Sequence, residues 1–306
     1  MRKLLSLMIV SLMALVLVAC GGGNAADNDT GNNASEESLE ELKAKFETPE
    51  KIISTTVAIT EIMEELELDL VGVPTSYKDL PEVYKDAIEV GNAMDPDLEI
   101  VLSLEPDDVL TVTNLQADLQ EKFDNAGVPG TFLDFDSAQA MFDEIEGLGE
   151  KYDRVEQAEN LVAQFEDKMK ELEAEAEGRE APKVLILMGI PGSYIVGTEH
   201  SYIGDLVTRL GGEIAVQGHD EDFISANTEY LQQTDADIIL RAVHGAPEEV
   251  VKMFDREFAE NDIWQHFKAV KDDRVFDLEE TRFGTTANLA VIEAMEELMT
   301  IMYPEE

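Results

Sequence analysis

The chain has 306 residues, of which 67 are acidic and 22 basic, and its formal net charge at pH 7 is −45. A surface this acidic repels the phosphates of nucleic acids and of anionic lipids, so we expect neither as a partner. The length exceeds what one small domain needs and leaves room for two lobes with hydrophobic cores.

The first 19 residues have the composition of a secretory signal. Arg2 and Lys3 precede an apolar run at residues 4–18, which is too short and wrongly flanked for a transmembrane helix. The run ends in Leu-Val-Ala-Cys at residues 17–20, which resembles the lipobox of bacterial lipoproteins. This predicts removal of residues 1–19 and attachment of lipid to Cys20, the single cysteine, which has no intrachain disulfide partner. The alternative is a cleaved signal with an incidental cysteine.

Composition divides the rest of the chain into four parts. Residues 20–46 are predicted to form a flexible tether, because Gly, Asn, Asp, Ser and Ala dominate residues 21–38 without an apolar period. Residues 47–150 and 179–306 are predicted to form two α/β lobes. Residues 151–178 are predicted to join them as one long helix. Apolar residues recur there at three- and four-residue steps, namely at Val155, Ala158, Leu161, Val162, Phe165, Met169 and Leu172.

The two predicted lobes share a sequence pattern. Leu110 follows Glu99 by eleven residues, and Leu240 follows Glu229 by the same interval. Each segment has the pattern of a short helix, an acidic turn and a buried parallel strand, followed by a helix and a second strand. Such alternation favours an α/β fold with mostly parallel sheets. Chance similarity between two ordinary αβ units is the alternative.

Potential ligating side chains stand where an α/β fold binds ligands, beyond the carboxyl ends of strands. His244 follows the apolar run Ile238–Val243, and Met94 stands among turn-forming residues at 91–97. A structural histidine and a loop packed onto its lobe are the ordinary explanations of these two residues. His200 competes with His244, because it follows a predicted strand-end loop at 189–198 and begins a helix.

The sequence contains no pattern that indicates catalysis. It lacks the Gly-x-Ser-x-Gly elbow of hydrolases, the phosphate loop and the dinucleotide-binding glycine motif. Four histidines and one cysteine also make a poor zinc site. We therefore expect a binding protein and not an enzyme.

Five segments carry a resemblance to a known family: residues 72–81, 90–94, 183–189, 198–207 and 237–245. With the lipobox, the long helix and the paired lobes, they resemble the ABC-transporter substrate-binding lipoproteins for cobalamin, ferric siderophores and haem. Within that class the chain is similar to the haem-binding lipoproteins of the iron-regulated surface determinant (Isd) uptake systems of Gram-positive bacteria. The resemblance runs from about Glu47 to Tyr303. It implies a class III periplasmic-binding-protein-like fold of the helical-backbone metal receptor type, α/β in both lobes.

The resemblance also implies the binding site. That family binds haem iron through a methionine of the first lobe and a histidine of the second, which correspond to Met94 and His244. Haem b is then the transported ligand, and thioether and imidazole are a known axial pair for its iron. Contacts to the propionates are implied at Val57, Tyr77 and Lys78, where N–H groups at a helix start can receive anions. Tyr77 and Lys78 are equally well explained as exposed loop residues.

Partners and location follow from the same resemblance. Glu99 and Glu229 are implied to form salt bridges with permease arginines, although two ordinary surface glutamates are the alternative. Arg241 is a candidate to assist the propionates, and a buried ion pair is the role we favour for it. The implied partners are haem, the ABC permease and its ATPase, with cell-wall haem donors as a further class. The chain is expected to be a monomer, anchored by lipid on the extracytoplasmic face of the bacterial cell membrane.

Other functions remain open at this point. A ferric-siderophore or cobalamin binder of the same class would use aromatic and basic cleft residues in place of methionine and histidine. An esterase or a metallochaperone would need the elbow or the ligand cluster that the sequence lacks. An adhesion module rarely carries a duplicated α/β pattern with a joining helix.

Overall fold

The structure of the protein, a computed structural model, describes Phe46, residues 48–227, Leu231 and residues 233–305. The predicted signal, Cys20, nearly all of the predicted tether, and Glu229 lie outside these residues. Within the described ranges, no helix is both long enough and apolar enough to cross a membrane.

The first lobe is built on a five-stranded parallel sheet. Its strands are β1 (Ile52–Ser54), β2 (Gly72–Val73), β3 (Ile88–Glu89), β6 (Asp108–Val112) and β7 (Gly130–Leu133), and a small hairpin consists of β4 (Gly91–Asn92) and β5 (Asp95–Pro96). The order in the sheet is β3-β2-β1-β6-β7, and every pair is parallel. Strands β1 and β6 are buried along their whole length, as expected for central strands covered on both faces.

Helices connect these strands, and three of the four given below begin at polar capping residues. They are α1 (Val57–Glu65), α2 (Leu98–Ser103), α3 (Gln116–Ala126) and α4 (Ala138–Lys151), with 3₁₀ turns at Glu82–Tyr84 and Thr113–Leu115. The side chains of Thr56, Asp97 and Ser137 accept backbone N–H groups at the starts of α1, α2 and α4. These caps fix the points at which the chain leaves the carboxyl ends of the strands and enters the helices.

The long helix α5 (Val155–Ala176) leads from the first sheet to the second. It is shorter than the predicted span of residues 151–178, because Lys151 ends α4 and Asp153, at φ +58°, breaks the helical path. Helix α5 packs against α4 and α1, and the rings of Phe142 and Phe165 stack at 5.8 Å.

The second lobe has a mixed sheet. Its strands are β8 (Lys183–Ile190), β9 (Ser193–Gly197), β10 (Glu213–Ile214), β11 (Phe223–Ser225), β12 (Ile238–Val243) and β13 (Val275–Asp277). The order is β11-β9-β8-β12-β13, with β10 beside β8. Pairs among β8, β10, β12 and β13 are parallel, whereas β9 is antiparallel to both β8 and β11. The helices are α6 (Tyr202–Arg209), α7 (Pro247–Glu260), α8 (Lys268–Lys271) and α9 (Val291–Met302), with a 3₁₀ turn at Asp262–His266.

The antiparallel strand β9 corrects one prediction. Residues 189–198 were expected to form a strand-end loop, but residues 189–190 end β8 and residues 193–197 form β9, on either side of a turn at Gly192, whose φ is +82°. The chain then returns along β8, from Ser193 opposite Ile190 to Gly197 opposite Ile186. His200 therefore follows a hairpin strand and lies in the turn before α6.

One hydrophobic core runs through both lobes. It includes residues of β1 and β6, of α4 and α5, of β8 and β12, and of the final helix α9, which packs on α5. Because this core is continuous, the two sheets are joined through their helices. Loops that follow strands of the two sheets contact each other, as in the hydrogen bond between Tyr77 and Glu280.

Candidate functional site

The carboxylate of Glu280, in the segment after β13, is where loops of the two lobes meet. On the first lobe, the Tyr77 hydroxyl donates a hydrogen bond to it, and the Lys78 ammonium lies 3.7 Å away. On the second lobe, the Gly245 N–H donates to it at 3.2 Å, and His244 Nδ1 lies 3.9 Å away. Three residues that the sequence singled out separately, Tyr77, Lys78 and His244, are thus brought together around one acidic side chain. We call these four side chains the Glu280 group.

His244 follows β12 and is held at the strand end. Its N–H donates to the carbonyl of Gly189 at 2.8 Å, and its side chain is half-buried. Burial lowers the pKa of the imidazole, with the Glu280 carboxylate opposing that shift and the Lys78 ammonium adding to it. The imidazole is therefore neutral at neutral pH and keeps a nitrogen lone pair. Because Nδ1 is the ring nitrogen nearest to Glu280, Nε2 is the one left for a ligand.

Met94 stands at the turn of the β4–β5 hairpin. The side-chain oxygen of Asn92 accepts the N–H groups of Met94 and Asp95, both at 3.1 Å, and this fixes the turn. The methionine side chain is 61% exposed. A loop packed onto its lobe, the ordinary explanation of Met94, would have buried this side chain. The hydrogen bonds at Met94 are local to the hairpin, so the structure does not join this residue to the Glu280 group.

Val57 is the first residue of α1, directly beyond the carboxyl end of β1. The Thr56 hydroxyl accepts the Ile59 N–H at 3.3 Å, and the earlier N–H groups of a helix have no partner within it. The N-terminus of α1 therefore presents backbone donors and a positive dipole end, an arrangement that receives anions.

Arg241 is a structural residue. Its guanidinium bonds Asp277 with two contacts of 2.6 Å and Asp255 at 3.1 Å. It also lies 5.5 Å from the ring centre of Phe254 and 5.2 Å from that of Phe258. The buried ion pair favoured from the sequence is confirmed, and these partners leave the side chain committed within its own lobe.

His200 lines a different region between the lobes, a cavity of about 360 Å³. The lining is dominated by acidic residues and consists of Asp134, Asp136, Ser137, Ala140, Glu199, His200, Asp205, Asp220 and Asp222. We call this region the acidic cavity. Burial raises the pKa of Asp136 to about 6, and Asp222 and Asp134 add to the shift. Among the residues that the structure describes, no group of three or more His, Cys, Asp or Glu side chains is arranged to hold a metal ion.

Of the predicted docking and anchoring residues, only Glu99 is among the residues that the structure describes. Glu99 is exposed on the first turn of α2, where its N–H donates to the Asp97 carboxylate at 3.0 Å. Glu229 and Cys20 fall outside the described residues, so both stay predictions.

Glu280 is the site residue that sequence reasoning missed. It is one of 67 acidic residues, and no motif distinguishes it. The only available signal was its place shortly after a strand, at the edge where ligands bind in α/β folds. Its side chain is only 9% exposed, which a run of sequence letters does not reveal.

Comparison with known proteins identifies the family. The periplasmic binding protein family matches residues 52–281. The chain is 46% identical to the high-affinity heme uptake system protein IsdE of Staphylococcus aureus (strain Newman) over 257 residues, 84% of this chain and 88% of the relative.

Two crystal structures agree with this match. The structure of S. aureus IsdE complexed with heme superposes with a TM-score of 0.81 and 47% identity, covering 83% of this chain and 99% of that one. An ABC transporter substrate-binding protein from Listeria monocytogenes EGD-e gives a TM-score of 0.80 and 50% identity, with coverages of 84% and 99%. The resemblance and the fold class expected from the sequence are confirmed. The chain belongs to the periplasmic binding protein family.

Proposed function

We propose that this chain is the substrate-binding component of an ABC transporter for haem, which captures haem between its lobes and delivers it to the permease for iron acquisition. Its similarity to IsdE over most of both chains supports this function. The structural observation that carries the proposal is the Glu280 group. A neutral imidazole of the second lobe stands beside a hydroxyl and an ammonium of the first, across the cleft.

The iron of haem would be held by His244 and Met94. Haem iron binds neutral imidazole, and burial keeps His244 in that form. The exposed thioether of Met94 is a soft ligand on the opposite lobe, on a hairpin fixed by Asn92. With one ligand from each lobe, iron bonding would itself favour closure of the cleft.

The propionates of haem would be received by the first lobe. The Tyr77 hydroxyl and the Lys78 ammonium can each bond a carboxylate, and the N-terminus of α1 at Val57 adds backbone donors. These donors matter more on this chain than on a neutral one. Its charge of −45 would otherwise repel a ligand that carries two carboxylates.

Delivery would take place at the membrane surface. We infer that Cys20 carries a lipid that keeps the chain on the extracytoplasmic face, and that Glu99 and Glu229 dock onto the permease, which works with its ATPase. Cell-wall haem donors would supply the ligand. In this role the chain acts by binding and not by catalysis, as is general in this family.

A titration with haemin tests the function. The chain is expected to bind one haemin and to give the absorbance spectrum of a six-coordinate, low-spin haem. Cyanocobalamin and a ferric siderophore serve as competitors that should leave this spectrum unchanged. If haemin gave only the spectrum of free, aggregated haemin while a competitor bound, the chain would belong to another transporter of the same class.

A further inference from the structure

Glu280 forms the same kind of contact that we expect of the ligand. Its carboxylate receives the Tyr77 hydroxyl and lies 3.7 Å from the Lys78 ammonium, and these are two of the groups assigned above to the haem propionates. A propionate ends in a carboxylate as well. In the structure, two first-lobe donors are therefore already bound to a carboxylate of the second lobe.

The two carboxylates cannot share Tyr77. A tyrosine hydroxyl has a single proton, so it donates one hydrogen bond at a time. Burial raises the pKa of the Tyr77 hydroxyl, and its hydrogen bond to Glu280 adds to the shift, so the proton is retained at any physiological pH. If a propionate is to accept this hydrogen bond, Glu280 must first give it up.

Glu280 keeps second-lobe partners after such an exchange. The Gly245 N–H donates to its Oε1 at 3.2 Å, whereas Tyr77 donates to Oε2. His244 Nδ1 lies 3.9 Å from the same Oε1. The carboxylate can thus lose its contacts to the first lobe and remain hydrogen-bonded beside the proposed iron ligand. An unpaired buried charge would be costly, and this arrangement avoids one.

We propose that Glu280 is an internal competitor for the ligand's carboxylates: it joins the two lobes by binding Tyr77 and Lys78, and a haem propionate replaces it there. The inference rests on the proposed function and adds an exchange step to it. Entry of the ligand then requires release of a cross-lobe hydrogen bond. Only a ligand that brings its own carboxylate restores what Tyr77 and Lys78 lose.

The first test needs no ligand. Tyr77→Phe, Glu280→Gln and the double variant of the full-length chain are unfolded in urea, and the shifts of the midpoint are compared. A neutral acceptor makes a bond about half as strong as a charged one, so the shift caused by Tyr77→Phe should fall by about half in the Glu280→Gln background. Additive shifts would show that the contact does not exist in solution and would overturn the proposal.

Glu279→Gln is the matched control for both tests. Glu279 is the neighbouring residue, is 70% exposed and pairs with Arg282 at 2.9 Å. Its substitution removes the same charge without touching Tyr77. The shift caused by Tyr77→Phe should therefore be unchanged in the Glu279→Gln background.

The second test measures ligand entry. Haemin and iron-free protoporphyrin IX, which has both propionates but cannot bond His244 through iron, are mixed with the chain in a stopped-flow instrument. Quenching of the single tryptophan, the buried Trp264 of the second lobe, reports binding. Glu280→Gln should raise the association rate constant of both ligands about five- to tenfold, because a charge-assisted hydrogen bond no longer has to be released.

The acceleration must depend on Tyr77. In the Tyr77→Phe background Glu280→Gln should accelerate binding by less than half as much, and Glu279→Gln should leave the rate unchanged. Equal acceleration with and without the hydroxyl would indicate general repulsion by the carboxylate and would overturn the exchange. Slower association in Glu280→Gln would overturn it too. If the unsubstituted chain bound neither porphyrin, the proposed function and the exchange would both fail. Coupled unfolding with unaltered association rates would reject the exchange alone.

Discussion

The two regions that face each other between the lobes differ in how their charges are compensated. In the Glu280 group, a carboxylate of the second lobe meets a hydroxyl and an ammonium of the first. In the acidic cavity, Asp134 and Asp136 of the first lobe meet Asp222 of the second, and neither lysine nor arginine is among the lining residues. Cross-lobe charges are therefore paired in the Glu280 group, whereas in the acidic cavity carboxylates of the two lobes face one another.

The difference shows in the pKa values. Burial raises the pKa of a carboxyl group unless cations or hydrogen-bond donors oppose it. Burial raises the pKa of Asp136 to about 6, and two further carboxylates add to the shift. Burial also raises the pKa of Asp222, although His200 opposes that shift. Asp205 is the compensated member of the cavity, because it bonds Arg209 at 3.0 Å and accepts the Ala138 N–H at 3.1 Å. A net charge alone does not tell these environments apart.

The histidines test most directly which region binds the ligand, because each region has one. His244→Ala should weaken haemin binding about 100-fold or more and abolish the low-spin spectrum, since it removes the imidazole that bonds iron. His200→Ala, in the acidic cavity, should change the affinity less than about twofold, because a lone side chain at an exposed site adds little. Absorbance titration of both variants measures the two effects. A normal spectrum from His244→Ala, with loss of it in His200→Ala, would move the ligand to the acidic cavity.

Met94 tests whether the first lobe supplies the second iron ligand. Met94→Ala should still bind haemin, about tenfold more weakly, because thioether is the weaker of the two ligands and the porphyrin would remain enclosed. Resonance Raman spectra should show loss of the six-coordinate low-spin state. The Tm of the ligand-free variant should not change, since this side chain is 61% exposed and contributes little packing. An unaltered spectrum would remove Met94 from the site.

Lys78 tests the role of the ammonium in the Glu280 group. Lys78→Ala should weaken haemin binding about fivefold, the effect of losing one partly exposed ion pair with a propionate. The loss should shrink at about 0.5 M salt, because exposed charges are screened. Lys85→Ala is the control, since Lys85 is also on the first lobe and pairs with its neighbour Glu82 at 3.1 Å. Equal losses in the two variants would mean that general charge, and not Lys78, attracts the ligand.

Local patterns predicted the elements of the fold that depend on local sequence. The apolar run at 238–243 forms β12, and the three- and four-residue steps form α5. The same reasoning missed β9, because an antiparallel strand is defined by its partners β8 and β11 and not by its own composition. It also placed the start of the long helix too early, because the positive φ of Asp153 is not apparent from an aspartate in a charged segment.

The roles of the site residues could be predicted from the sequence only where the family resemblance implied them. Met94 and His244 had unremarkable local patterns, and the family gave them roles that stay predictions here. Glu280 was missed for a physical reason: the role of a carboxylate depends on which donors the fold brings to it. Tyr77 is 203 positions away in the chain. No local pattern joins two residues at such a separation.

Substitution of Asp136 should have the smallest effect of those predicted here, and it tests the acidic cavity. Its pKa in the folded chain is raised from 3.8 to about 6, so ionisation destabilises the fold. This penalty is absent below about pH 4, grows as the pH rises between those two values, and is complete above pH 6. Asp136→Asn removes the charge at all pH values. At pH 7 it should raise the Tm by about 2 °C, a value kept small because the residue is only partly buried.

The pH profile separates this effect from a general loss of surface charge. The gain from Asp136→Asn should disappear when the melting experiment is repeated at pH 4, where the aspartate of the unsubstituted chain is already protonated. Asp167→Asn, at an exposed position of α5, is the control and should change the Tm by less than about 1 °C at either pH. A gain of equal size at pH 4 and pH 7 would mean that the amide improves packing or hydrogen bonding. A lower Tm at pH 7 would mean that the Asp136 carboxylate is stabilising, and the contrast between the two regions would not hold.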